Sequence, residues 1–92
     1  MDKAHLAAIL DTAAVTEGKD GFQELPEGRS ASFYASHNGV GLTIARVTAV
    51  RLAEPLVYLR TSKGETFVVA AAQLFAGAVE GTAGPTRKAG FV

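Results

Sequence analysis

The pair Asn38-Gly39 separates two segments that are rich in β-branched and aromatic residues. A two-residue hairpin turn needs positive φ at both central positions, and Asn-Gly meets that need well. Residues 31–37 therefore predict one strand, and residues 40–52 predict its antiparallel partner. An antiparallel sheet is thus expected in the middle of the chain.

The second of these strands is predicted to bend. Its 13 residues are more than double the usual strand length. Its apolar side chains fall on even positions up to Ile44, move to odd positions from Val47, and return to even positions from Val50. Because a slip of one residue turns the side chains to the other face of a sheet, a bulge is predicted near Ala45–Arg46.

Two further strands follow. Glu54-Pro55 ends the long strand, since proline cannot donate a hydrogen bond to a ladder. Residues 56–61 and 66–70 predict a third and a fourth strand, and residues 62–65 form the tight turn between them.

Helices are predicted on both sides of the strands. Residues 2–15 are predicted to form an amphipathic helix, with Asp2 as its N-cap and Gly18 as its stop. Its apolar stripe has the spacing i, i+3, i+4 and i+7: Leu6, Ile9, Leu10 and Ala13. Residues 71–80 predict a second helix. Small residues over 70–78 leave two interpretations open. Either they allow a close contact with a helix of another subunit, or they reflect simple helix propensity and the small side chains that suit a helix lying flat on a sheet.

The predicted fold class is α+β over residues 1–80: an N-terminal helix, a four-stranded antiparallel meander and a C-terminal helix. The sheet is either open, with the helices against it, or curled like a barrel by the bend. Residues 81–92 lack a periodic pattern and predict a flexible tail. This order of elements is similar to that of many small meander domains, including LytTR-type DNA-binding domains and Sm-like folds. The chain contains no diagnostic motif of either.

Composition excludes several classes of function. The chain has 92 residues, enough for one domain, and no cysteine. That excludes disulfide scaffolds, thiolate metal sites and cysteine nucleophiles. Two histidines, His5 and His37, are too few for a histidine metal site. With no phosphate-binding glycine motif and no pair of carboxylates on one element, we predict no metal, no cofactor and no catalytic residue, and hence not an enzyme.

The compartment is predicted to be the cytoplasm. No apolar run reaches the roughly 18–20 residues that a membrane span requires. The first five residues carry no basic region ahead of an apolar stretch, which excludes a signal peptide.

Candidate binding residues lie mainly in the predicted sheet. Nine basic and nine acidic residues cancel overall, but residues 1–30 are acidic and residues 31–79 modestly basic. Four cations are candidates for a basic patch, two tyrosines could stack beside it, and one histidine could contact a ligand. These residues are Arg46, Arg51, Arg60, Lys63, Tyr34, Tyr58 and His37. The alternatives are a solvated sheet face on which the cations pair with Glu54 and Glu65, half-buried tyrosines, and an exposed histidine at a strand end.

The predicted function is a small non-catalytic binding module that self-associates and acts through protein–protein contacts. A core thinned by 17 alanines and the unpaired edges of a short meander both favour a homo-oligomer. The alternative is a nucleic-acid-binding or regulatory domain that uses the basic sheet face. Phe22 and Leu25, in the turn-rich segment 16–30, either attach that segment to the domain or form an exposed recognition patch.

Overall fold

The fold is described for residues 1–81 in a computed structural model, and more than half of these residues are in strands. One helix, α1, spans Lys3–Ala13. The seven strands are β1 Thr16–Glu17, β2 Gln23–Glu24, β3 Arg29–His37, β4 Val40–Ala53, β5 Leu56–Thr61, β6 Thr66–Ala70 and β7 Leu74–Gly81. All paired strands are antiparallel and belong to one sheet.

The predicted α+β fold, with four strands and a C-terminal helix, is wrong. Ala71–Gln73 forms a single 3-10 turn, and the rest of the predicted helix is β7. This strand pairs with β3 along its whole length, from Gly81 opposite Arg29 to Leu74 opposite Ala35. Helix propensity differs by under about 1 kcal/mol per residue, so pairing that satisfies the backbone of both strands overrides it. The short strands β1 and β2 also lie in the segment that the sequence predicts as turns.

The sheet curls into a half-barrel because β4 changes its partner along its length. β3 lies beside its first half and β5 beside its second half, and Val47 pairs with both. Between the pairs Phe33–Ile44 and Ala31–Val47, β4 contains one residue more than β3. Arg46 takes a positive φ of 59° at this point. The bulge predicted near Ala45–Arg46 is therefore confirmed, and it bends the strand.

The inner face of the half-barrel carries the hydrophobic core. Seven large side chains are at most 2% exposed: Phe33, Ile44, Val47, Val50, Val57, Leu59 and Leu74. Helix α1 packs on this face through its predicted stripe, of which Leu6, Ile9 and Ala13 are buried. The predicted hairpin is confirmed as well, with φ of 51° at Asn38 and 82° at Gly39.

The ends of α1 are only partly as predicted. The side chain of Asp2 accepts a hydrogen bond from the His5 N–H at 2.8 Å, so the predicted N-cap is confirmed. The helix stops at Ala13 rather than near Gly18. Arg29 of β3 closes this end, since its Nη1 donates to the carbonyl of Ala13 at 3.1 Å. A tertiary contact thus satisfies a carbonyl group that the end of the helix leaves without an intrahelical partner.

Ala14 follows the helix in the left-handed conformation, with φ of 59° and ψ of 46°. A Cβ costs roughly 1 kcal/mol here, and glycine removes that cost. We expect Ala14→Gly to raise the free energy of unfolding by about 0.5–1 kcal/mol in urea denaturation. The control Ala8→Gly, an exposed position within the same helix, should lower it by about 1 kcal/mol. Changes of the same sign in both variants would contradict this account of the cap.

The remaining element boundaries agree in part with those predicted from the sequence. Strands β5 and β6 have the predicted bounds. The predicted flexible tail, residues 81–92, lies outside the described residues except for Gly81, which ends β7. In the part of the chain described here, no helix is long and apolar enough to cross a membrane.

Candidate functional site

Three of the predicted binding residues meet on the outer face of the sheet. Val57 and Leu59 of β5 are buried in the core, so the alternate residues of that strand point outward. Tyr58 lies at the centre, directly opposite Arg51 of β4 on one side and Val68 of β6 on the other. We call this surface the Tyr58 face, and its members are Arg51, Leu56, Tyr58, Arg60 and Val68.

Phe22 holds the two arginines of this face in place. The Arg60 guanidinium carbon lies 4.0 Å from the centroid of the Phe22 ring, and the Arg51 guanidinium carbon lies 5.7 Å from it. Arg51 also lies 4.3 Å from the ring centroid of Tyr58. Cations over aromatic faces are attracted by the ring quadrupole, which restricts both guanidinium groups before any partner arrives.

For Phe22 the sequence offers two interpretations, attachment of its segment to the domain or an exposed recognition patch, but not the support of two arginines. Phe22 is 6% exposed and is carried to the outer face by β2, which pairs with the second half of β4. Leu25 is buried too, at 8% exposure. The interpretation that these two residues attach the segment to the domain is therefore confirmed, and Phe22 in addition supports the arginines.

The arginines of the Tyr58 face have no carboxylate partner among residues 1–81. The ion pair found within 4 Å in that part of the chain joins Lys3 and Glu54, at 4.0 Å between side chains that are mostly exposed. The predicted pairing of the sheet cations with Glu54 and Glu65 is therefore not observed. Two unneutralised guanidinium groups thus lie beside exposed apolar side chains, Leu56 at 37% and Val68 at 51% exposure.

The other two predicted cations lie elsewhere. Arg46, at the bulge of β4, and Lys63, in the turn after β5, line a cleft of about 210 Å³ together with Glu65 and Phe67. Phe67 lies opposite Leu59 of the core face, whereas Tyr58 points outward. The basic patch predicted from four cations is therefore divided between two sites.

Tyr34 and His37 also lie apart from the Tyr58 face, on β3 at the other side of β4. The ring centroid of Tyr34 is 6.4 Å from that of Phe75, with the planes tilted by 40°. His37 is exposed at the end of β3, and its Nδ1 contacts Nε2 of Gln73. Neither side chain can add a stacking surface beside Arg51 and Arg60.

A second candidate surface is the free edge of β4 over residues 40–45, called here the β4 edge. β3 covers one side of this segment, and pairing with β5 on the other side begins only at Val47. Along residues 1–81, no strand pairs with this second side. Two side chains of the edge are strongly exposed, Val40 at 70% and Leu42 at 49%. The sequence predicts free edges at the ends of the meander but not within its longest strand.

No group of three or more histidine, cysteine, aspartate or glutamate side chains comes together among residues 1–81 in a way that could hold a metal ion. A cavity of about 600 Å³ lies between α1 and the second half of β4, and most of its lining is alanine and leucine, with Lys3, Asp11 and Gln23 among its polar residues.

Known proteins offer no guide to these surfaces. No family model matches the chain, and neither a curated protein nor a solved structure matches it. What each surface binds is therefore inferred from its own residues and charges.

Proposed function

We propose that this chain is a small non-catalytic binding module that self-associates and acts through protein–protein contacts. The Tyr58 face carries the proposal, because it combines an exposed leucine, an exposed valine, a tyrosine and two arginines that have no carboxylate partner among residues 1–81. Tyrosine and arginine dominate the residues that contribute most to protein interfaces. We place the module in the cytoplasm, where a chain without cysteine loses nothing to reducing conditions. It requires no cofactor.

The chemistry of the face favours a partner segment that carries carboxylates beside an apolar side chain. Arginine binds a carboxylate through paired, charge-assisted hydrogen bonds. Both guanidinium groups are already positioned by aromatic rings, so less side-chain entropy is lost when the partner binds. Leu56 and Val68 then cover the apolar side chain of the partner.

The alternative, a nucleic-acid-binding or regulatory domain, has weaker support. Nucleic-acid affinity rises with the number of phosphates that lysine and arginine neutralise. The Tyr58 face offers two cations, Arg46 and Lys63 line a different cleft, and the formal net charge of the chain is zero.

Two labelled probes distinguish these functions by fluorescence anisotropy: a peptide of alternating glutamate and leucine, and a single-stranded oligonucleotide of equal charge. We expect the peptide to bind, less tightly as salt increases, and Arg60→Gln to weaken binding about tenfold. The matched control Lys63→Gln also removes one positive charge, but from outside the face, and should change binding less than about twofold. Binding of the oligonucleotide but not of the peptide would contradict the proposal and support the alternative.

A further inference from the structure

The β4 edge presents backbone groups that the described fold does not use. The two-residue turn at Asn38-Gly39 makes His37 and Val40 a hydrogen-bonded pair. In an antiparallel ladder the hydrogen-bonding direction alternates along the strand. The N–H and C=O groups of Gly41 and Thr43 therefore point away from β3, toward the side on which residues 1–81 provide no strand.

This edge also lacks the features by which proteins usually block pairing with another chain. Natural edge strands carry lysine, proline or an inward-pointing charge. Residues 38–45, Asn-Gly-Val-Gly-Leu-Thr-Ile-Ala, contain no charged residue and no proline. The bulge formed by Ala45 and Arg46 ends the regular part of the edge. The edge is therefore open to a further strand along residues 40–44.

Exposed apolar side chains accompany the free backbone groups. Leu42 lies opposite Ala35 and has the same orientation as the buried Ile44, but it is 49% exposed. Val40, two residues nearer the turn, is 70% exposed. The hairpin thus extends the apolar inner face of the sheet beyond the core, and an added strand would cover it.

We infer that the β4 edge pairs antiparallel with the β4 edge of a second copy of the same chain, about a two-fold axis. Two identical antiparallel edges are self-complementary, because each free N–H meets a free C=O of the partner segment. Side chains of the same orientation then lie on the same face, so Val40 and Leu42 of both copies cover each other. The neutral segment brings no like charges together. The result is one continuous sheet joining two half-barrels.

This inference rests on the proposed self-association and names its surface and partner. A two-fold contact of this kind stops at two copies, because it uses the same edge of each. Pairing of the β4 edge with a different edge, such as that of β6, would instead add further copies head to tail. The contact is small compared with a standard protein interface. We therefore expect a dissociation constant in the micromolar range, and the molar mass should be measured by sedimentation over micromolar to millimolar concentrations.

Cysteine cross-linking locates the contact. Because the natural chain contains no cysteine, Thr43→Cys introduces a single thiol at the β4 edge. A short bismaleimide should convert this variant to covalent dimers. The control Ala8→Cys, with its thiol on the exposed side of α1, should remain monomeric under the same conditions. Equal cross-linking of both variants would show random collision and overturn the inference.

A charge at the edge provides the second test. Thr43→Lys places like charges on two meeting edges and should weaken dimerisation at least tenfold. The control Ser36→Lys makes the same change on β3, opposite Gly41 in the same hairpin, and should alter the dissociation constant less than about twofold. Urea denaturation of both variants establishes that they remain folded.

Three outcomes would overturn the inference: a wild-type chain that is monomeric at millimolar concentration, oligomers larger than a dimer, or equal effects of the two lysines. Because Thr43 lies outside the Tyr58 face, Thr43→Lys should leave peptide binding unchanged. A wild-type chain that binds the peptide but does not dimerise would refute the edge contact alone. An edge dimer that binds no peptide would refute only the partner proposed for the Tyr58 face.

Discussion

Replacing Phe22 by alanine is expected to lower the free energy of unfolding by about 3 kcal/mol. The ring is 6% exposed and lies against the guanidinium groups of Arg51 and Arg60. Truncation of a buried phenylalanine to alanine costs about 3–5 kcal/mol. The lower end applies here because the two flexible arginine side chains that cover the ring can move into part of the vacated space. Phe22→Leu keeps most of the apolar volume but not the ring, so we expect an intermediate loss.

Urea denaturation measures this loss, and amide hydrogen exchange locates it. Since Phe22 and Leu25 attach the segment between α1 and β3, exchange should accelerate over residues 16–25 more than in the core strands. Phe75→Ala is the matched control: it removes the same atoms from a side chain that is 58% exposed, and it should change stability by at most about 0.5 kcal/mol. Similar losses in both variants would show that the ring of Phe22 does not stabilise the segment.

Replacing Gly77 by valine is expected to lower the free energy of unfolding by about 2–3 kcal/mol. A Cβ at this position of β7 would lie 2.8 Å from Cδ1 of Ile9 and 3.4 Å from Cδ2 of Phe33. Overpacking a filled core typically costs 1–3 kcal/mol, because side chains leave their rotamers or the backbone moves. The Cβ of Gly77→Ala is too close only to Cδ1, the flexible end of Ile9, so its cost should stay under about 1 kcal/mol.

A double-mutant cycle tests whether Ile9 is the cause. In an Ile9→Ala background the obstructing atoms are gone, so Gly77→Val should cost at least about 1 kcal/mol less than in the natural chain. Ala78→Val, one residue along β7 and therefore on the opposite face, is the control and should show no coupling to Ile9. Additive effects of Gly77→Val and Ile9→Ala would contradict the contact between α1 and β7.

This contact also explains one of the small residues that the sequence places over 70–78, namely Gly77. The small residues serve neither a helix pair between subunits nor helix propensity, because the segment beyond Gln73 is a strand. Gly77 instead allows α1 to approach the inner face of the sheet closely, at Ile9. Small residues permit close packing both in a helix that lies on a sheet and in a strand that lies beneath a helix. The sequence pattern therefore could not distinguish a helix from a strand in this segment.

The candidate site was predictable where it depended on the alternation of side chains between the two faces of a hairpin. Arg51, Tyr58 and Arg60 lie on strands joined by the short Glu54-Pro55 turn, and their register follows from that turn. Arg46 does not join them, because the bulge gives it a positive φ and interrupts the alternation. Phe22 arrives from a segment far away in the sequence, through the pairing of β2 with β4, and no local pattern indicates that pairing.

Local signals in the sequence determined the hairpin at Asn38-Gly39, the bend of β4, the bounds of β5 and β6, and the apolar stripe of α1. Each depends on residues within a few positions of one another, where turn geometry and side-chain periodicity act directly. The tertiary structure alone decided that residues 74–81 form a strand, that Arg29 closes α1, and that residues 40–45 of β4 keep a free edge. These outcomes depend on which distant backbone groups become partners, because buried N–H and C=O groups must be paired and that requirement outweighs a weak local preference.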